Sequence, residues 1–95
     1  MYAIHWKKQA INDLIKIGQE IAKDSPVNAE KMVDLIEDKL TPLATHPEIG
    51  RGGRKRGTRE LVVHTNYVVI YRALAAQIEI LRVKHTAQQW PPTDK

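Results

Sequence analysis

Gly57-Thr58-Arg59-Glu60-Leu61-Val62-Val63-His64-Thr65-Asn66-Tyr67-Val68-Val69-Ile70-Tyr71-Arg72 decides how the chain folds. Two short runs rich in Val and Ile flank His64-Thr65-Asn66, a turn of polar residues, and so predict a pair of strands joined by a hairpin. Ala73-Leu74-Ala75-Ala76 is a second turn, and Gln77 to Lys84 a third strand. Connections this short favour antiparallel neighbours, so Thr58–His64, Tyr67–Arg72 and Gln77–Lys84 form a meander.

Upstream of the meander the period changes. Tyr2, Ile4 and Trp6 alternate with Ala3 and His5, the pattern of a short strand. From about Gln9, Ile11, Leu14, Ile15, Gly18, Ile21 and Ala22 fall on one helical face, opposite Lys16, Gln19, Glu20 and Lys23. Asp24-Ser25-Pro26 ends that helix and starts another, with Ser25 suited to the N-cap and Pro26 to the first helical position. Ala29, Met32, Val33, Ile36, Leu40 and Leu43 form a second stripe, which Pro42 kinks or ends. The short linker makes the helices an antiparallel hairpin. The expected fold class is α+β: an N-terminal strand, a helix hairpin, and a meander of three strands. No linker, repeat or low-complexity tract divides residues 1–95, which are expected to form one domain.

Composition narrows the chemistry. There is no cysteine, which excludes disulfides, thiolate catalysis and cysteine-ligated zinc. Phe is absent, so the core is aliphatic. The net charge is +4, which favours acidic partners. The N-terminal residues lack the apolar core of a signal peptide and no run approaches membrane-spanning length, so a cytoplasmic protein with no membrane partner is expected. His5, His46 and His64 have no ligand spacing, and neither metal nor cofactor is expected.

The cations are clustered. Arg51, Arg54, Lys55, Arg56 and Arg59 crowd a glycine-rich loop that can either neutralise phosphates or remain a solvated turn. By strand alternation, Arg82 shares the even face of the last strand with Ile78 and Ile80. A cation there needs a partner; Glu60 is one candidate, a ligand the other. His85 ends the last strand, where it serves either as a general base or structurally. Tyr67 and Tyr71 read as core or rim aromatics. Aliphatic residues occupy both parities of the meander: Leu61, Val63, Val69, Leu81 and Val83 on odd positions, and Val62, Val68, Ile70, Ile78 and Ile80 on even ones. One helix hairpin covers one face, so the other is expected to meet a protein partner.

In order and spacing the chain resembles the RelE/ParE superfamily of toxins from bacterial type II toxin–antitoxin modules. The resemblance rests on Ala10-Ile11-Asn12-Asp13-Leu14, Ile21-Ala22-Lys23-Asp24-Ser25-Pro26, the helix exit Leu43 to Arg51, Gly57-Thr58-Arg59-Glu60-Leu61, Tyr67 to Arg72, and Ile80-Leu81-Arg82-Val83-Lys84-His85. It implies a small toxin that stops growth, of a type associated with plasmid stabilisation, neutralised by an antitoxin that wraps around it and alone connects it to DNA. The antitoxin is expected at Ile78, Ile80, Arg82 and Trp90. Two activities are implied. RelE-like members cut mRNA on the ribosome; here His85 would take the 2′-hydroxyl proton, Arg82 would stabilise the pentavalent charge, and Arg59 with its loop neighbours would hold the backbone. ParE-like members poison DNA gyrase without cleaving RNA. The helix hairpin and the Gly57–Leu61 segment look ParE-like, and in that reading Arg51, Arg54, Lys55, Arg56 and Arg59 meet the target. A plain nucleic-acid-binding module is the third reading.

Overall fold

In the computed structural model, which describes residues 1–86, the chain runs β1 (Ala3–Trp6), α1 (Lys8–Ala22), α2 (Pro26–Leu40), β2 (Arg51–Gly52), β3 (Arg59–His64), β4 (Tyr67–Ala73) and β5 (Gln77–His85). The strand, helix hairpin and antiparallel meander expected from the sequence are all present. One sheet holds every strand, in the order β1-β5-β4-β3-β2. β1 lies parallel to β5, from Ala3 opposite Gln77 to Trp6 opposite Ile80. β2 is an addition: Arg51 and Gly52 pair with Glu60 and Arg59, so the basic loop is the tip of a β-hairpin.

The helices begin and end as their local chemistry dictates. The Ser25 hydroxyl accepts from the Asn28 backbone N–H at 3.2 Å, capping α2, and Pro26 occupies the first turn. Pro42 has no N–H to donate, so α2 ends at Leu40 and a 3-10 turn over Thr41–Ala44 follows. Gly18 faces Val33 across the hairpin; a Cβ there would be 3.6 Å from the Val33 side chain, an ordinary packing contact. Ala10, Ile36, Leu40 and Leu43 meet Val63, Val69, Tyr71, Ile78, Ile80 and Val83 in a core lying between helices and sheet. Each large aliphatic side chain buried there contributes about 1.5–3 kcal/mol.

A β-bulge decides which residues reach that core. Ile70 pairs with Arg82 and Tyr71 with Ile80, which leaves Leu81 without an opposite number. The parity of β5 therefore changes at Leu81. Ile78 and Ile80 face the helices and are 0% exposed, as does Val83 beyond the bulge. This corrects the expectation that Ile78 and Ile80 share a face with Arg82 and lie open to a partner: they are filled over by the chain's own helices. Residues directly opposite in a sheet share a face. Arg82 thus lies with Ile70 on the side away from the helices, and Lys84 with Val68. Val62, 53% exposed, belongs to this open side, which is the sheet's second aliphatic surface.

Two polar clasps hold the framework. The buried Tyr71 hydroxyl donates to the Pro47 carbonyl at 2.7 Å and accepts from the Gly50 N–H at 2.9 Å, tying the helix exit to β4. Only glycine fits at position 50, because a Cβ would lie 2.6 Å from the same hydroxyl oxygen. The second clasp replaces a missing strand. β1 leaves the edge of β5 after Trp6, whose partner is Ile80. Beyond that point Asp13 of α1 takes over: its carboxylate accepts from Arg82 Nε at 2.7 Å, from Arg82 Nη2 at 3.0 Å and from the Val83 backbone N–H at 2.9 Å.

Two stability predictions follow from the clasps. Tyr71→Phe leaves a buried donor and acceptor unmatched and should cost about 1–3 kcal/mol. Thermal unfolding would then shift down by roughly 4–8 °C per kcal/mol for a domain of this size. Asp13→Ala strips the Val83 N–H and the Arg82 guanidinium together and should cost about 2 kcal/mol or more, the scale of a hydrogen bond to a charged group. Hydrogen exchange at the Val83 amide checks the local part of that loss: it should accelerate in Asp13→Ala and stay slow in Tyr71→Phe.

Candidate functional site

The basic hairpin is built by its turn. Gly53 N–H donates to the Thr58 carbonyl at 2.8 Å and Thr58 N–H to the Lys55 carbonyl at 3.1 Å. Gly57 has φ +83°, a left-handed conformation that glycine adopts without strain. The cations expected to act together divide into two groups. Arg51 pairs with Glu60 at 3.1 Å, and Glu60 also accepts from the Arg54 backbone N–H at 3.4 Å. Arg59 donates through Nη1 to the carbonyls of Gly50, at 2.9 Å, and Glu48, at 3.3 Å. Arg51 and Arg59 thus brace the hairpin. The side chains of Arg54, Lys55 and Arg56 project into solvent, and among the described residues none of them has a carboxylate partner.

At the other end of the sheet lies a cleft of about 470 Å³ between α1 and β5, lined by Asp13, Lys16, Tyr67, Arg82, Lys84 and His85. The Tyr67 ring stacks edge-on to His85 with centroids 5.6 Å apart, and His64 lies 5.9 Å from Tyr67 on the other side. Arg82 reaches the cleft around the open edge of β5. Its charge is held by Asp13, whose hydrogen bonds raise the guanidinium pKa above its ordinary value. Burial pushes the Lys84 ammonium below its usual range, and the neighbouring Arg82 charge adds to the effect.

The three residues assigned to RNA cleavage from the sequence are therefore not assembled. Arg82 and His85 border one cleft but issue from opposite faces of β5. Arg59 is opposite Tyr71 on β4 and His85 is opposite Tyr67, about 13 Å along the strand, and β3 and β5 lie on either side of β4, about 10 Å apart. The partner offered for Arg82, Glu60, is also corrected. Ile70 stands between Glu60 and Arg82 in the cross-strand row, Glu60 pairs with Arg51, and Arg82 pairs with Asp13. Lys16 and Lys84 were not singled out in the sequence, because membership of the cleft depends on how α1 crosses the sheet. Trp90 lies outside the described residues.

On the open face a further ion pair spans the sheet. Glu79, buried on β5, accepts from Arg72 Nε at 2.6 Å and lies 3.9 Å from Lys7. The Arg72 hydrogen bond holds the Glu79 carboxyl below its usual pKa.

Comparison with known proteins agrees with this architecture. Residues 4–90 match the sequence model of the ParE toxin of the type II toxin–antitoxin system, parDE. A Sinorhizobium fredii protein named Y4kP is 42% identical over 89 residues, covering 93% of this chain and 92% of its own. Toxin RelE2 of Caulobacter vibrioides is 33% identical over 88 residues, covering 93% of this chain and 99% of its own. Among solved structures, the chromosomal ParDE system from P. aeruginosa superposes with a TM-score of 0.79 at 26% identity, over 90% of this chain and 96% of that one. A YafQ mutant from E. coli shares the fold more distantly, with a TM-score of 0.50 at 23% identity. A match over nearly the whole chain, carried by relatives above 30% identity, makes this chain a member of the ParE toxin family, within the RelE/ParE superfamily of type II toxin–antitoxin toxins.

Proposed function

We propose that the chain arrests growth by poisoning DNA gyrase, acting through its exposed basic hairpin, and that a cognate antitoxin neutralises it. The observation that carries this reading is the bidentate Asp13–Arg82 pair. Ribonuclease chemistry needs a cation able to meet charge as it develops on the scissile phosphate. Here the arginine that borders the same cleft as His85 already has its charge matched by a carboxylate, and Arg59 is committed to backbone carbonyls at the far end of the sheet. The three solvated cations, Arg54, Lys55 and Arg56, form a projecting surface suited to binding an acidic target without bond cleavage. The similarity to a chromosomal ParDE system supports the same reading.

Ribosome-dependent mRNA cleavage is the second reading, favoured by one feature: Lys84, His85 and Tyr67 border a single cleft. A paired assay separates the two. Incubated with gyrase, ATP and supercoiled plasmid, the protein should yield linear DNA after denaturation, while mRNA in a translating extract stays intact. His85→Ala should keep growth arrest within about threefold, because no proton transfer is involved. Charge reversal at Arg54, Lys55 and Arg56 together should abolish it. Codon-spaced mRNA cuts that fall by about a hundredfold in His85→Ala, the scale of a general base, would overturn the gyrase reading.

A further inference from the structure

The open face of the sheet carries a second feature, which shares Lys55 with the hairpin tip and Arg82 with the α1–β5 cleft. A groove of about 300 Å³ runs where the start of α1 meets this face, lined by Lys7, Lys8, Lys55, Arg72, Leu81 and Arg82. Its cations come from four separate segments: the approach to α1, the hairpin tip, β4 and β5. Arg72 is matched by Glu79 and Arg82 by Asp13. Lys8 and Lys55 have no carboxylate partner among the described residues, and Lys7 makes only a long contact with Glu79. Among the described residues the groove thus carries a surplus of positive charge over its acids.

One aliphatic side chain lines it. Leu81, extruded by the bulge, opens onto it; beyond the groove, past the buried Ile70, the same face carries Val68 and the exposed Val62. Every Tyr and Trp among the described residues packs on the helix side. Single-stranded nucleic acid is held by aromatic platforms for its bases together with cations for its backbone. Among the described residues this face offers cations without platforms. An extended peptide with alternating side chains fits better: aliphatic residues on Leu81, Val68 and Val62, and carboxylates toward Lys7, Lys8 and Lys55.

We propose that this groove is the docking site for an acidic, aliphatic segment of the cognate antitoxin. The inference rests on the toxin–antitoxin reading and adds where and by what chemistry the partner binds. It also supplies a route to neutralisation. Lys55 belongs both to the groove and to the hairpin tip, so a segment seated here covers part of the surface assigned to the target.

The test uses Lys7→Glu/Lys8→Glu in the full chain. Acidic residues at the start of α1 face the positive end of its dipole, which offsets the loss of the long Lys7–Glu79 contact. An unchanged far-UV spectrum and melting temperature would confirm that the variant folds. Antitoxin affinity, measured by calorimetry at low and physiological salt, should fall at least tenfold, and its salt dependence should flatten, while growth arrest without antitoxin persists. Lys31→Glu on α2 is the control and should change neither. Wild-type affinity in the double variant would overturn the groove and leave the toxin reading standing. Lost growth arrest with wild-type antitoxin affinity would overturn it too, by assigning the groove to the target. Failure of the unmutated chain to arrest growth would instead sink the toxin reading itself. In the wild-type complex, antitoxin should slow hydrogen exchange at Lys8, Gln9 and Leu81; unaltered exchange there would also overturn the proposal.

Discussion

The carboxylate of Asp13 is the constraint on which the rest of this structure depends. β1 protects the edge of β5 only as far as Ile80, and the chain then turns away into α1. An uncovered edge with a bulge in it presents an unpaired N–H and an inserted residue. Asp13 meets the first by accepting from the Val83 N–H, and it grips the fork of Arg82, the residue that follows the inserted Leu81. The bracket fixes α1 against β5 and holds the bulge in place. That bulge turns Ile78, Ile80 and Val83 to the same side. Without it, strict alternation would send Val83 outward or bring Arg82 beneath the helices, where an unpaired guanidinium is costly.

The division of the sheet into two unlike faces follows from this. The helix side takes the aromatics and the large aliphatics into a core, closed at its rim by the Tyr71 hydroxyl. The open side keeps a thinner aliphatic layer crossed by the ion pairs Arg51–Glu60 and Arg72–Glu79. In both pairs the carboxylate is the buried member and the arginine reaches toward water, so each guanidinium balances a charge that the sheet would otherwise bury alone. The open side thus presents apolar area and charge together, and the charge keeps it solvated.

Much of the fold was legible because it is written in local chemistry. The Ser25-Pro26 start, the Pro42 stop, the period change after Trp6 and the Val- and Ile-rich runs each act within a few residues. Some of the site was legible in the same way: the exposed cations Arg54, Lys55 and Arg56 follow from a glycine-rich turn that cannot bury them. The partners of Arg82 and Glu60 were not legible. Alternation, counted without a bulge, placed them on one face with Ile78 and Ile80. A bulge adds one residue with no reliable sequence mark and inverts everything beyond it.

The sequence by itself determined the order of elements, their ends, the aliphatic core, the concentration of cations in the second half and the resemblance that implied a toxin. Those properties depend on near neighbours, composition and motif order. Only the tertiary structure decided which cations remain available. Asp13 and Arg82 are separated by 69 positions, and Arg72 meets Glu79 across a hairpin. A salt bridge depends on distance in space, and periodicity along the chain carries no record of it. Tertiary placement thus converted Arg51, Arg59 and Arg82 from candidate ligand-binding groups into braces, and left Lys8, Arg54, Lys55 and Arg56 on the surface.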